Sequence, residues 1–213
     1  MKWNVGWGVI PYCNMNCQFC YSNHVRSNPN FSLCKFEEWK NFVDQNHDLI
    51  GSINYGTGES TISDDWFKLI AYIRNSYPDI KQALTTNGYL SYQIKNSSEY
   101  DAIVRKSIDE VDVSLDFADA EKHNIFRGQP CAYEWAIDTL SYCQHNDIPC
   151  TIVFLGTDSV LDINNVANLF EIARKYNTIL RTNIFRPTMG INNFSKKFVA
   201  SYTNILECIY WIN

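Results

Sequence analysis

The run Cys13-Asn14-Met15-Asn16-Cys17-Gln18-Phe19-Cys20-Tyr21 follows directly on the apolar stretch from Val5 to Pro11. A short apolar run of that kind reads as a strand, so the three thiols stand on the loop that leaves it. Side chains this close in sequence can converge on one metal centre, yet they supply one ligand fewer than a closed site needs. Cysteine thiolates are the usual ligands of iron-sulfur clusters, and a metal left one ligand short is free to bind and activate a substrate. A zinc site would recruit His24 as fourth ligand, since short Cys/His spacings also read as zinc. Eight cysteines in 213 residues are too dilute for a disulfide scaffold, and a chain of this length buries a core without staples.

Outward from that loop, short apolar runs alternate with helical patterns. After the first strand, Lys35 to Asp48 places Phe36, Trp39 and Phe42-Val43 at helical spacing, and Leu49 to Tyr55 is a second strand ending in Gly56-Thr57-Gly58-Glu59. Ser63 stands where an N-cap belongs, with Asp64 and Asp65 in the first turn of a helix that Pro78 ends. Ile80 to Thr85 is the third strand, with Thr86-Asn87-Gly88 as its exit and a helical region between Tyr92 and Ile108. Val111 to Asp116, Pro149 to Leu155 and Ile179 to Phe185 read as strands four to six. The helices Tyr133 to Asn146 and Asn164 to Tyr176 separate them, and Lys196 to Ile212 closes the chain. Such alternation implies parallel strands with right-handed crossovers. The expected fold is therefore α/β, an incomplete (β/α)6 TIM-like barrel forming one domain over residues 1–213, with 196–213 as a capping helix whose stripe is Phe198, Ile205, Leu206 and Ile209. A doubly wound open sheet has the same period. In either case sites gather where strands end, and the cysteine loop, Gly56 to Glu59, Asn87-Gly88, Ser114, Asp116 and Arg186-Pro187 all fall there.

The triple-cysteine spacing, with an aromatic before its last cysteine, resembles that of radical S-adenosylmethionine (SAM) enzymes, and the resemblance runs from about Val5 to Gly190. It implies that Cys13, Cys17 and Cys20 hold a 4Fe-4S cluster whose remaining iron binds SAM, with Phe19 beside the adenine. Gly56-Thr57-Gly58-Glu59 resembles the family's glycine-rich motif for the methionyl amino group, where the missing Cβ lets backbone carbonyls come close. It departs from that motif in having Thr57 where a glycine is usual and Ser60 where proline is usual. Ser114-Leu115-Asp116 and Arg127 resemble the positions that serve the SAM ribose and carboxylate, and a guanidinium fork suits a carboxylate. His123 reads as a cap or a solvated side chain, or as a catalytic group. Thr86-Asn87-Gly88 resembles the family's strand-three exit, where the asparagine reads as structural. On the fifth strand no adenine motif is recognisable.

By that resemblance the activity is reductive. A one-electron donor such as flavodoxin or ferredoxin reduces the cluster, SAM is cleaved to methionine and a 5′-deoxyadenosyl radical, and the radical takes hydrogen from a substrate. The motif combination is most similar to the branch that modifies peptides and proteins, although Cys208 alone follows Cys150, so this chain cannot hold that branch's cysteine-rich C-terminal extension unless it is a fragment of a longer enzyme. A small molecule such as a nucleoside, sugar or amino acid, or a partner activated as a glycyl radical, are the other enzymatic readings. A zinc-stabilised binding module is the non-enzymatic one.

Composition sets the surroundings. The chain is 46% hydrophobic and 19% charged, and no apolar run approaches the roughly 18 residues of a membrane span. A formal charge of -5 argues against a long non-specific nucleic-acid footprint, because that needs clustered Lys and Arg. Met1-Lys2-Trp3-Asn4 lacks the pattern of a secretory signal, and the expected location is the reducing cytoplasm.

Overall fold

The computed structural model describes residues 2–22, 34–186 and 197–212. His24, Pro187 and Lys196 lie outside them. Six parallel strands form a single sheet in the order β1 to β6: Trp3–Trp7, Ile50–Tyr55, Lys81–Thr86, Glu110–Ser114, Cys150–Gly156 and Ile179–Ile184. Sequential order without reversal is that of an incomplete barrel and excludes the doubly wound sheet, which has a switch point.

Helices join the strands: α1 (Phe36–Asn46), α2 (Asp64–Ser76), α3 (Leu90–Asn96), α4 (Ser98–Ser107), α5 (Ala120–Arg127), α6 (Ala132–His145), α7 (Ile163–Lys175) and α8 (Tyr202–Ile212). Several differ from the expectation. The first strand stops at Trp7, and the chain then runs extended to the cysteine loop. The region expected as one helix after Tyr92 is two, because the Ser97 hydroxyl accepts the Tyr100 N–H and starts a new helix there. Helix α5 was not foreseen. Among its residues only His123 is buried, so it shows no apolar stripe. Ser63 precedes α2 as expected but its side chain makes no capping bond. The closing helix begins at Tyr202, leaving Phe198 outside it, while Leu206 and Ile209 are exposed and Cys208 is buried. It packs beside α7, and Asp158 anchors its start by accepting the Ser201 N–H at 2.6 Å and the Asn204 Nδ2 at 2.9 Å.

The two faces of the sheet differ in kind. On the convex face Ile53, Tyr55, Leu84, Val111, Val113 and Ile152 are fully buried beneath the helices, where α2 contributes Trp66, Phe67, Leu69, Ile70 and Ile73. Each such side chain contributes roughly 1.5–3 kcal/mol by leaving water. The strand register puts Asn4 beside Ser52, Asn54 beside Ala83, Thr85 beside Asp112 and Val153 beside Arg181 on the opposite, concave face. That face is largely polar and partly open. Ser52 Oγ donates to Asn4 Oδ1 at 2.9 Å, Thr85 Oγ1 to Asn54 Oδ1 at 3.0 Å, and Arg181 Nη2 to Asp112 Oδ2 at 2.5 Å. In a closed TIM barrel the corresponding residues are bulky and apolar, packed in layers.

Candidate active site at the strand exits

The C-terminal ends of the strands surround a cavity of about 750 Å³. Cys13, Cys17 and Cys20 all line it, together with Phe19, Thr57, Gly58, Ser114 and Arg127 from the sequence expectation. Asn87 on the β3 exit, Phe154 and Leu155 on β5, and Asn183 and Arg186 on and after β6 also line it. Arg186 was expected at this rim, whereas the fifth strand and Asn183 were not. The contribution of Phe154, Leu155 and Asn183 comes from position around the barrel, and no local motif marks it.

Local backbone geometry holds the cysteine loop against the β2 exit. Gly58 has φ of +66°, and a Cβ there would stand 2.5 Å from the Ile10 carbonyl oxygen and closer still to that of Tyr12. Only glycine accepts both the left-handed conformation and this approach. The Glu59 N–H then donates to Tyr12 O at 2.7 Å. Thr57 is itself left-handed at φ 72°, which is uncommon for a β-branched residue, and its hydroxyl lies 3.1 Å from the Tyr21 hydroxyl.

Two residues expected to bind cofactor turn inward instead. Glu59 is 1% exposed and does not line the cavity. Its carboxylate accepts the Asn87 N–H at 2.7 Å, the Thr86 hydroxyl at 2.9 Å and the Thr61 hydroxyl at 2.7 Å. Burial pushes its pKa up and these donors oppose the rise. Its side chain thus ties the β2 exit to the β3 exit. Gly56 also lies off the cavity lining. Asp116 is wholly buried and accepts Arg127 Nε–H on Oδ2 at 2.6 Å and the Leu155 N–H on Oδ1 at 2.8 Å. Its carboxylate holds protein groups, and Ser114 alone of the pair faces the cavity.

The Asp116 N–H donates to His123 Nδ1 at 3.1 Å, so the ring proton sits on Nε2, which has no partner among the described residues. Burial, with Arg127 also opposing charge and Asp116 favouring it, lowers the His123 pKa to about 4. The ring is fully buried and lies away from the cavity. Arg127 keeps its charge: burial opposes it, but Asp116 and Cys17 more than compensate and raise its pKa. Its guanidinium carbon lies 5.3 Å from the Phe19 ring centre, and Phe19 stacks on Phe126 at 4.4 Å with Phe198 edge-on at 5.8 Å.

Each thiol of the loop has a polar neighbour. Cys17 Sγ lies 3.4 Å from Arg127 O, Cys20 Sγ 3.1 Å from Ser22 Oγ, and Cys13 Sγ accepts the Met15 N–H and Asn87 Nδ2–H, each at 3.4 Å. Among the described residues no three His, Cys, Asp or Glu side chains are gathered at the spacing of one ion. Burial pushes the Cys17 thiol up and Arg127 pulls it down, and ligation requires the thiolate.

An open parallel half-barrel with a three-thiolate loop at its strand exits defines an enzyme of the cluster-bearing barrel class. The model of the Radical SAM superfamily matches residues 7–170, and the chain belongs to that superfamily. Membership implies SAM and an iron-sulfur cluster as its cofactors. The chain is 27% identical over 213 residues to an AdoMet-dependent heme synthase of Methanosarcina barkeri, covering 97% of this chain and 57% of that protein. It is 23% identical over 187 residues to the mycofactocin maturase MftC of Mycolicibacterium smegmatis, covering 85% and 44%. The chain thus spans about half the length of the curated relatives it matches. Streptococcus suis SuiB bound to S-adenosylmethionine has the same fold, with a TM-score of 0.78 at 17% identity over 99% of this chain and 47% of that one. SuiB has also been solved bound to its precursor peptide SuiA. Among the described residues no helix is long and apolar enough to cross a membrane.

Proposed function

We propose that this chain is the catalytic barrel of a radical SAM enzyme acting on a peptide or protein, in the cytoplasm, with flavodoxin or ferredoxin as electron donor. When bound, a reduced 4Fe-4S cluster supplies the electron that splits SAM into methionine and a 5′-deoxyadenosyl radical able to take hydrogen from an unactivated carbon. Cys13, Cys17 and Cys20 hold the cluster. The backbone carbonyls of Thr57 and Gly58 receive the methionyl ammonium, Ser114 the ribose and Arg127 the carboxylate, while Phe19 gives the adenine an apolar wall. Arg127 suits that task because it lines the cavity with its charge kept and its Nε held by Asp116. The surrounding protein orients the reactants and excludes side reactions.

The observation that carries the peptide reading is the concave face. Thr85 and Asn183 of this face line the cavity, Asn54 and the Asp112–Arg181 pair stand beside them on the same face of the sheet, and side-chain amides, hydroxyls and a guanidinium complement the N–H and C=O groups of an extended main chain. The likeness to mycofactocin maturase and the peptide-bound SuiB structure support the same class. A small-molecule substrate is the second reading, favoured by the 27% identity to heme synthase.

The test uses reconstituted protein, SAM, dithionite and an extract of cells grown in deuterated medium, split by size into peptide and small-molecule fractions. Deuterium should enter 5′-deoxyadenosine from the peptide fraction. Transfer from the small-molecule fraction alone would replace the reading with the second one.

A further inference from the structure

Asn87 is the cavity residue whose bonding points beyond substrate binding. It is 8% exposed, and its Nδ2 donates both to Cys13 Sγ at 3.4 Å and to Asn14 Oδ1 at 2.8 Å. Its Oδ1 accepts the Tyr89 N–H at 3.0 Å. That acceptance fixes the amide's orientation, because the flipped amide would set donor against donor at Tyr89 and acceptor against acceptor at Asn14. The backbone behind it is equally constrained. Glu59 Oε2 accepts the Asn87 N–H, Glu59 Oε1 accepts the Thr86 hydroxyl, and the Thr86 Oγ1 accepts the Gly88 N–H at 3.1 Å. Gly88 itself has φ of +98°, with a Cβ there only 2.5 Å from the Ala136 nitrogen, so no other residue fits this turn.

A buried carboxylate on the β2 exit therefore aims a side-chain amide on the β3 exit at one sulfur of the cysteine loop. Hydrogen bonds to ligating sulfurs and the groups that orient them set the potential of an iron-sulfur centre. An N–H drawn toward a thiolate sulfur withdraws negative charge, and this favours the state carrying one electron more. Cys13 also accepts the Met15 N–H from within the loop, whereas Asn87 donates to it from the exit of another strand and holds the loop through Asn14 as well.

We propose that Asn87 tunes the reduction potential of the cluster through its hydrogen bond to Cys13, and that Glu59 is the positioning residue that holds it there. The proposal rests on reading Cys13, Cys17 and Cys20 as cluster ligands. It explains why the glutamate of the glycine-rich turn spends its carboxylate on the β3 exit and not on the cavity.

The experiment is a redox titration followed by electron paramagnetic resonance on anaerobically reconstituted wild type, Asn87→Leu, Asn87→Asp and Glu59→Gln, with iron measured in each. Asn87→Leu removes the donor at similar volume; Asn87→Asp keeps the acceptor for Tyr89 but turns an anion toward the sulfur. The midpoint should move to more negative potential in Asn87→Leu, further in Asn87→Asp, and in the same direction but less in Glu59→Gln, at wild-type iron content. An unchanged midpoint in a fully loaded Asn87→Leu or Asn87→Asp protein overturns the tuning role. Loss of iron from both Asn87 variants also overturns it, since the residue would then be needed to build the site. A wild type that takes up no cluster at all refutes the underlying ligand reading, and is told apart by its lack of any signal to titrate.

Discussion

Arg127 and Asp116 form a buried ion pair, Nε to Oδ2 at 2.6 Å, in which the carboxylate is wholly shielded and the arginine side chain is 12% exposed. The acid does more than balance charge. Through Oδ1 it grips the Leu155 N–H on β5, and so it joins the end of α5 to a second strand and sets where the arginine stands beside Phe19.

Arg127→Met should destabilise the protein by about 3–5 kcal/mol, the cost of leaving one partner of a buried pair uncompensated. Combining it with Asp116→Asn should recover part of that loss, because the amide oxygen still accepts the Leu155 N–H and no charge is stranded. Anaerobic urea unfolding of the two single variants and the double variant measures the coupling. Strictly additive losses would show that the pair is not a unit.

Glycines 58 and 56 make a matched comparison within one turn. Gly58→Ala forces a Cβ into the Ile10 and Tyr12 carbonyls at a left-handed φ, whereas a Cβ at Gly56 meets nothing within 4 Å. Gly58→Ala should therefore displace the cysteine loop, lowering the thermal midpoint and the iron content together, at a cost above the ~1 kcal/mol of an ordinary strained substitution. Gly56→Ala should stay close to wild type in both. Equal behaviour of the two variants would contradict the close approach.

His123 gives the fold an acid sensitivity of definite sign. Its pKa falls from about 6.5 in the unfolded chain to about 4 in the folded protein, chiefly through burial. Between those values the unfolded chain binds more protons, so stability is full above about pH 6.5 and is lost as pH falls toward 4. The contribution at stake is at most about 3 kcal/mol. His123→Asn, whose Oδ1 can accept the Asp116 N–H, should flatten the stability profile across that window. A slope equal to wild type would assign the acid sensitivity to other groups.

Sequence alone reached the architecture because the convex face is written in continuous apolar side chains, such as Ile53 and Tyr55 or Val111 and Val113, separated by helices with clear stripes. It reached the cysteines because a metal loop is local. It missed α5, whose single buried residue is a histidine, and it joined α3 to α4 because a serine cap is a weaker break than glycine or proline. The inward turn of Glu59 and Asp116 was beyond it for another reason. Glu59 meets Asn87 28 residues away, and Asp116 meets Leu155 39 residues away. Those partners share space only after the strands are laid side by side, whereas a motif records neighbours along the chain.

The unequal faces of the sheet bear on how such a scaffold can be repurposed. The apolar layer that keeps the strands together lies on the convex side, so Asn4, Asn54 and Asn183, exposed on the other side, carry little of the folding energy. Substitutions at exposed positions of this kind usually change stability by no more than about 0.5 kcal/mol. A laboratory library confined to the concave surface would accordingly yield mostly folded proteins with altered appetites, while the same exercise inside a closed barrel would spend most of its members on broken cores.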